Sequence, residues 1–238
     1  MRILPAIDLK DGRCVRLRQG DYDSAYQVAE DALETARGFA EQGARELHLV
    51  DLDGARDGVR QHSGIVRRMI EQTGLCVEFG GGVRSLSDIR GVLGLGVNRV
   101  VIGSAAVEHP ALVKEAVKRF GEHVAVGLDA KNGTVRTRGW RMDSGQTVLP
   151  FAKEMEALGV KTLIFTDIAT DGMLTGPNFN VLRALRETLS CRLIASGGIS
   201  SLQDIRRLRD MGIDGAIVGK AVYSGALTLR GAIEMGES

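Results

Sequence analysis

The chain has 238 residues, with 31 basic against 30 acidic side chains and 44% hydrophobic residues. That length allows one or two domains with a sizeable core. The balanced, interspersed charge excludes the broad basic face that nucleic acid or an anionic membrane would require. No apolar run approaches the ~20 residues that span a bilayer, and Asp8 and Asp11 interrupt the N-terminus before a signal-peptide core could form, so a cytoplasmic protein is expected.

Cys14, Cys76 and Cys191 are far apart and form no CxxC pair, which argues against a disulfide framework or a zinc site and makes them reduced, mostly buried apolar fillers. The 31 glycines against 4 prolines are unusual. An ordinary chain carries about 7% glycine, and here the excess comes without the proline or low complexity of a disordered segment.

Short β-branched runs alternate with stretches of helical period along the whole chain. In order, the strands are expected at 3–8, 46–51, 75–79, 99–102, 123–129, 162–166, 192–195 and 215–218, and the helices at 31–42, 63–72, 85–93, 110–119, 148–158, 178–188, 201–210 and 226–235. Eight such units in one domain, residues 1–238, fit a closed (β/α)8 TIM barrel. An open doubly wound sheet is the alternative, although it more often has five to seven strands and one ligand site at its switch point.

A shift of 116 residues lays the second half on the first. Gly81 to Arg90 falls on Gly197 to Arg206 with seven identities in ten, Gly96 falls on Gly212, Gly103-Ser104-Ala105 on Gly219-Lys220-Ala221, and Val50-Asp51 on Thr166-Asp167. A shift of 121 aligns Ile7 to Gly12 with Leu128 to Gly133, as a longer first βα loop would require. The pattern reads as a duplicated half-barrel, with halves at about 1–122 and 123–238. Residues paired by the repeat then face one another across the mouth at the C-terminal ends of the strands.

Glycine pairs recur at these ends. Gly80, Gly81 and Gly82 with Gly103 and Ser104 form one group, and Ser196, Gly197 and Gly198 with Gly219 and Lys220 form its counterpart. Glycine lets a backbone approach an anion closely, and N–H groups opening a helix carry partial positive charge. Each glycine alone also suits a tight βα turn, but their symmetry points to two phosphate grips and a ligand with a phosphate at each end.

Asp8 and Asp129 close equivalent strands and form a candidate acid–base pair. A helix cap, or an ion pair with Lys10 or Lys131, is the structural alternative. No metal is expected: Asp51 and Asp167 also lie at strand ends, but the histidine near them, His48, is three residues before Asp51 and faces the other side of its strand. His62, His109 and His123 begin helices or strands, where solvated or capping roles are ordinary. Asp171, beside Gly172, suits either the mouth or an Asx turn, and Arg138-Gly139-Trp140 supplies the sole tryptophan, suited to stacking on a flat heterocycle or to plugging the loop base.

Several long stretches closely resemble the phosphoribosylformimino-aminoimidazole-carboxamide ribotide isomerases of histidine biosynthesis. They are Pro5 to Leu17, Leu47 to Ala55, Gly127-Leu128-Asp129, Arg138-Gly139-Trp140 and Thr170 to Asn178, spread essentially end to end. The cyclase subunit of imidazole glycerol phosphate synthase is a sister family, but it typically opens Cys-Leu-Asp where this chain has Ala6-Ile7-Asp8. The resemblance implies a cofactor-free Amadori isomerase of the diphosphorylated aminoaldose ProFAR, giving the aminoketose PRFAR. It assigns Asp129 as the acid that opens the furanose ring and Asp8 as the base at C2, with Thr166 and Asp171 supporting them. It makes Arg16, His48, Arg138 and Trp140 substrate-binding residues and counts Gly176 with the second grip. Lys220 stands where many members have a small hydroxyl residue. Some bacterial relatives also isomerise phosphoribosylanthranilate, which leaves a bifunctional enzyme as an alternative. A monomer without nucleic-acid or membrane partners is expected.

Overall fold

A computed structural model describes residues 1–19, 21–58 and 61–238. β1 (Arg2–Lys10) is followed by an antiparallel excursion, β2 (Arg13–Arg18) and β3 (Asp21–Ala29), and then by α1 (Ala32–Glu41). β4 (Glu46–Asp51) leads to α2 (Leu52–Asp57) and α3 (Ser63–Thr73), β5 (Cys76–Gly80) to α4 (Leu86–Leu93), and β6 (Arg99–Ile102) to α5 (Ser104–Glu108) and α6 (Pro110–Phe120). After β7 (Val124–Lys131) come a second hairpin, β8 (Thr134–Thr137) and β9 (Met142–Thr147), and α7 (Val148–Ala157). β10 (Thr162–Asp167), α8 (Phe179–Thr188), β11 (Arg192–Ser196), α9 (Leu202–Asp210), β12 (Gly215–Val218), α10 (Lys220–Tyr223) and α11 (Leu229–Glu237) complete the chain.

The parallel strands pair in the order β10, β11, β12, β1, β4, β5, β6, β7, and β7 pairs again with β10. That last pairing closes the sheet into an eight-stranded barrel and excludes the open, doubly wound alternative. Helix ends follow local chemistry. Asp31 caps α1 through the amides of Leu33 and Glu34, Ser85 caps α4, and Ser201 with Asp204 forms a capping box on α9.

Period-two alternation sorts each barrel strand into two faces. Ile3, Ile7, Leu47, Leu49, Val77, Phe79, Val126 and Leu128 join the large core between strands and helices. Leu4, Ala6, Val101, Ala125, Ile164, Ile194 and Ile217 form a separate cluster inside the barrel. Continuing the inner alternation by one step brings Asp8 after Ala6, Asp129 after Gly127 and Thr166 after Ile164 to the C-terminal rim.

The two hairpins differ from the plain loops expected after the first and fifth strands. Both turn on dipeptides in left-handed conformation, Asp11-Gly12 (φ 49° and 75°) and Asn132-Gly133 (φ 55° and 81°). Such pairs match the right-handed twist of a hairpin. The strands they join extend β1 and β7 beyond the barrel, with Asp8 opposite Val15 and Ala130 opposite Val135.

Candidate active site

The C-terminal rim encloses a cavity of about 750 Å³, to which all eight barrel strands contribute. Asp8 and Asp129 both line it, in unlike surroundings. The hairpin places Arg16, on β2, beside β1; its Nη1 donates to Asp8 Oδ2 at 2.7 Å and its Nη2 to the Ala6 carbonyl at 2.6 Å. The Tyr223 ring lies 5.1 Å from the same guanidinium, and the Tyr223 hydroxyl donates to the Ala6 carbonyl at 3.0 Å. Lys10, the alternative ion partner of Asp8, pairs with Asp11.

Asp129 has only neutral donors. The Trp140 indole N–H donates to its Oδ2 at 2.8 Å, and Thr166, its register partner on β10, hydrogen-bonds it through the side chain. Burial pushes the Asp129 carboxyl above its ordinary range, although both hydrogen bonds act in the opposite sense. One carboxyl facing a cation and another facing neutral donors is an arrangement that separates a base from an acid.

Asp171 reaches the same cavity from the loop after β10. Burial raises it to about 7, opposed by Arg16 and reinforced by the charges of Asp8 and Asp129. Lys220 turns its Nζ to the Gly172 carbonyl at 2.6 Å, bridging the loops after β10 and β12. His48 lines the cavity and binds Glu78 through Nδ1 at 2.6 Å.

The glycine residues of both expected grips, 80–82, 103, 197, 198 and 219, line the cavity with Ser104, Ser196 and Lys220. Gly81 and Gly197 also meet a packing demand. A Cβ on Gly81, at φ 108°, would lie 2.2 Å from the Asp51 carbonyl oxygen; one on Gly197, at φ 88°, would lie 2.7 Å from that of Asp167. The repeat therefore extends to strand-end carbonyls pressed against glycine, so the turn requirement and an open anion surface coincide. Gly176 lies off the cavity wall, and its N–H donates to the Gly198 carbonyl at 2.9 Å.

Asp51 and Asp167, paired by the same shift, face away from the cavity. Asp51 accepts from the Gly54 and Gln61 amides, and Asp167 from the Ala169 amide and the Asn178 side chain. His62 is neither solvated nor a side-chain cap. It is buried, with Nε2 2.9 Å from Asp53 Oδ2. Asp51, Asp53 and His62 are close enough for a cation, but Asp53 Oδ2 also accepts from the Asp11 amide and the carboxylates already serve as backbone latches. Of the cysteines, Cys14 and Cys191 are buried and Cys76 is exposed.

Arg138, Gly139 and Trp140 take φ values of 54°, 63° and 70° in succession. This left-handed turn swings the indole inward, while Arg138 remains at the rim, its amide donating to Ser104 Oγ at 2.7 Å and its Nε to Glu108 at 3.0 Å. Sequence reading passes over Tyr22, Arg84 and Arg141 of the cavity wall, and Tyr223 and Glu78 behind it. Tyr22 and Arg141 belong to the two hairpins and stack at 5.2 Å, so the Asp-Gly and Asn-Gly turn signals would have led to them.

Fold and site define a (β/α)8 barrel with one large strand-end cavity and unlike carboxyl groups facing into it. Residues 2–228 match the model of the histidine biosynthesis protein family, and the chain belongs to that family. A protein of Clostridium novyi (strain NT) is 48% identical over 237 residues, covering all of both chains. One of Clostridium botulinum (strain Kyoto / Type A2) is 48% identical over 99% of this chain and 97% of its own, and one of Acetivibrio thermocellus is 46% identical over 99% of both. Each of these relatives is named 1-(5-phosphoribosyl)-5-((5-phosphoribosylamino)methylideneamino) imidazole-4-carboxamide isomerase.

Proposed function

We propose that this chain is an aldose–ketose isomerase of histidine biosynthesis that converts ProFAR to PRFAR by an Amadori rearrangement. The observation that carries this reading is the shared cavity of Asp8 and Asp129, one against a guanidinium and the other against an indole N–H and a hydroxyl.

Asp129, whose carboxyl burial holds toward the protonated state, gives its proton to the furanose ring oxygen as the ring C–O bond breaks. The amine lone pair forms the C=N bond of a protonated imine. Asp8 removes the proton from C2, and those electrons flow to the imine nitrogen, giving an enolamine. Proton return at C1 and loss of the C2 hydroxyl proton complete the aminoketose. Hydride acceptor and metal are unnecessary because the protonated imine receives the electrons.

In this reading the two glycine-lined walls hold the terminal phosphates, Lys220 reinforces the second, Trp140 stacks on the imidazole, and Arg16, His48, Arg138 and Asp171 fix the sugar and carboxamide. Gly176 supports the second grip by bonding Gly198. The reading is of a monomer, and no helix among the described residues is long and apolar enough to cross a membrane. We place it in the cytoplasm, where its substrate class is made.

The test is turnover of ProFAR by the purified chain without partner or added cofactor. Wild type should form PRFAR, and Asp8→Asn and Asp129→Asn should each lose about 10²–10⁴ in kcat while circular dichroism shows each variant folded at the assay temperature. Near wild-type turnover in either variant would sink the mechanism.

A further inference from the structure

A line of alternating charge runs inside the barrel beneath His48. Register sets it up: Glu78 on β5 is the partner of His48 on β4 and of Arg99 on β6, so the three side chains enter the interior side by side. Glu78 Oε1 lies 2.6 Å from His48 Nδ1, while Oε2 accepts from Arg99 Nε at 3.0 Å and Nη2 at 2.7 Å. Arg99 also lies 3.5 Å from Glu46, whose other contact is Arg2 at 3.1 Å. Glu78 is 1% exposed, and His48 is the member of the line that opens to the cavity.

A carboxylate buried without partners would neutralise. Burial does push Glu78 up, but the hydrogen bond from His48 and the paired N–H groups and charge of Arg99 hold the carboxyl below its ordinary range. An ionised carboxylate accepts hydrogen bonds and donates none. The proton in the short contact therefore sits on His48 Nδ1. The second ring nitrogen, Nε2, makes no hydrogen bond among the described residues.

We propose that Glu78 is a positioning residue of the reaction: by holding a proton on Nδ1 it fixes the orientation of His48 and leaves Nε2 to accept from a hydroxyl or amine N–H of the substrate. Arg99 keeps Glu78 in the acceptor state, and Glu46 and Arg2 anchor Arg99 toward the base of the barrel. The inference rests on the isomerase reading above. It adds to that reading a group that never touches substrate but decides which nitrogen meets it.

Nitrogen-15 NMR of the ligand-free wild type at the assay pH reads which ring nitrogens of His48 carry protons without turnover. The Nδ1–H form is expected, against the Nε2–H form that an unconstrained imidazole favours in water. Glu78→Gln, whose amide also donates, should shift His48 toward Nε2–H and lower kcat/KM by at least tenfold. In a His48→Ala background the same substitution should change kcat/KM less than twofold, because the residue it acts through is gone. An active wild type with a proton on His48 Nε2, alone or together with Nδ1–H, overturns the inference, as does an equal loss on Glu78→Gln with and without His48, which marks a purely structural role. If Glu78→Gln does not fold, the wild-type tautomer decides alone. A wild type with the Nδ1–H tautomer but no isomerase activity overturns the functional reading instead.

Discussion

The Trp140 indole donates its N–H to Asp129 Oδ2 across 2.8 Å, so the loop tryptophan and the strand-end carboxyl of the second hairpin's unit form one assembly before any ligand enters. That bond favours the ionised carboxylate, against the burial that raises Asp129. Trp140→Phe keeps an aromatic ring and removes the donor. Asp129 then moves further up, and the alkaline limb of the kcat/KM profile, set by loss of the acid's proton, shifts to higher pH. A fall in kcat/KM of about tenfold should accompany it. A profile with an unmoved alkaline limb would separate the indole from the acid.

Arg16 joins the hairpin to the other carboxyl. Arg16→Met removes the cation from Asp8 and from Asp171 while filling similar space, leaving charge at the cavity wall uncompensated. A loss of about 3 kcal/mol is expected at pH 8, following the cost of breaking a buried pair by removing one partner. At pH 5 the loss should be smaller, since Asp171 is then protonated. Urea unfolding at both pH values measures the difference, and Arg16→Lys should recover little activity because one ammonium does not reproduce the fork that reaches Asp8 and the Ala6 carbonyl together.

These two residues also show what could be read from the chain alone. The eight barrel strands were legible as short β-branched runs, each followed by a stretch of helical period, and Asp8 and Asp129 because they close strands that the internal repeat pairs; both line the cavity. The hairpins were not, since no residue of β3 or β9 is fully buried and neither strand carries an apolar core face. Their turns did carry a signal in Asp11-Gly12 and Asn132-Gly133. The interior line from Arg2 to His48 depends on partners 21 to 53 residues apart, a pairing that only barrel register creates. Gly176 shows the converse: a glycine within a family motif whose amide serves the neighbouring loop.

Asp171 ties stability to pH. Its folded value of about 7 stands above the ~3.9 of an unfolded aspartate, so the folded chain binds more protons between those limits. The sign follows: stability from this group is fully present below about pH 4 and is lost as pH rises through about 7. Asp171→Asn should therefore match wild type near pH 4 and exceed it by about 2 kcal/mol at pH 8, roughly half of the full shift because cavity water reaches the carboxylate. Thermal unfolding across that range checks it, and a stability gap that does not change with pH would show that the carboxyl is not the titrating group.

Gly81 separates backbone strain from steric collision. Gly12 and Gly81 both have positive φ, at 75° and 108°, but a Cβ on Gly12 meets nothing within 4 Å, whereas one on Gly81 would stand 2.2 Å from the Asp51 carbonyl oxygen. Gly12→Ala carries the left-handed backbone penalty alone, about 1 kcal/mol. Gly81→Ala adds a displacement of the β4 strand end, for a total of about 3 kcal/mol. Asp51 latches α2 through the Gly54 amide and also holds the Gln61 amide, so moving its carbonyl also disturbs the cavity wall formed by Leu52, Ala55 and Arg56. Denaturant unfolding of the two variants should rank them in that order, with kcat/KM falling in Gly81→Ala. Equal losses in both would mean that the strand end yields freely and that the glycine is there for its conformation alone.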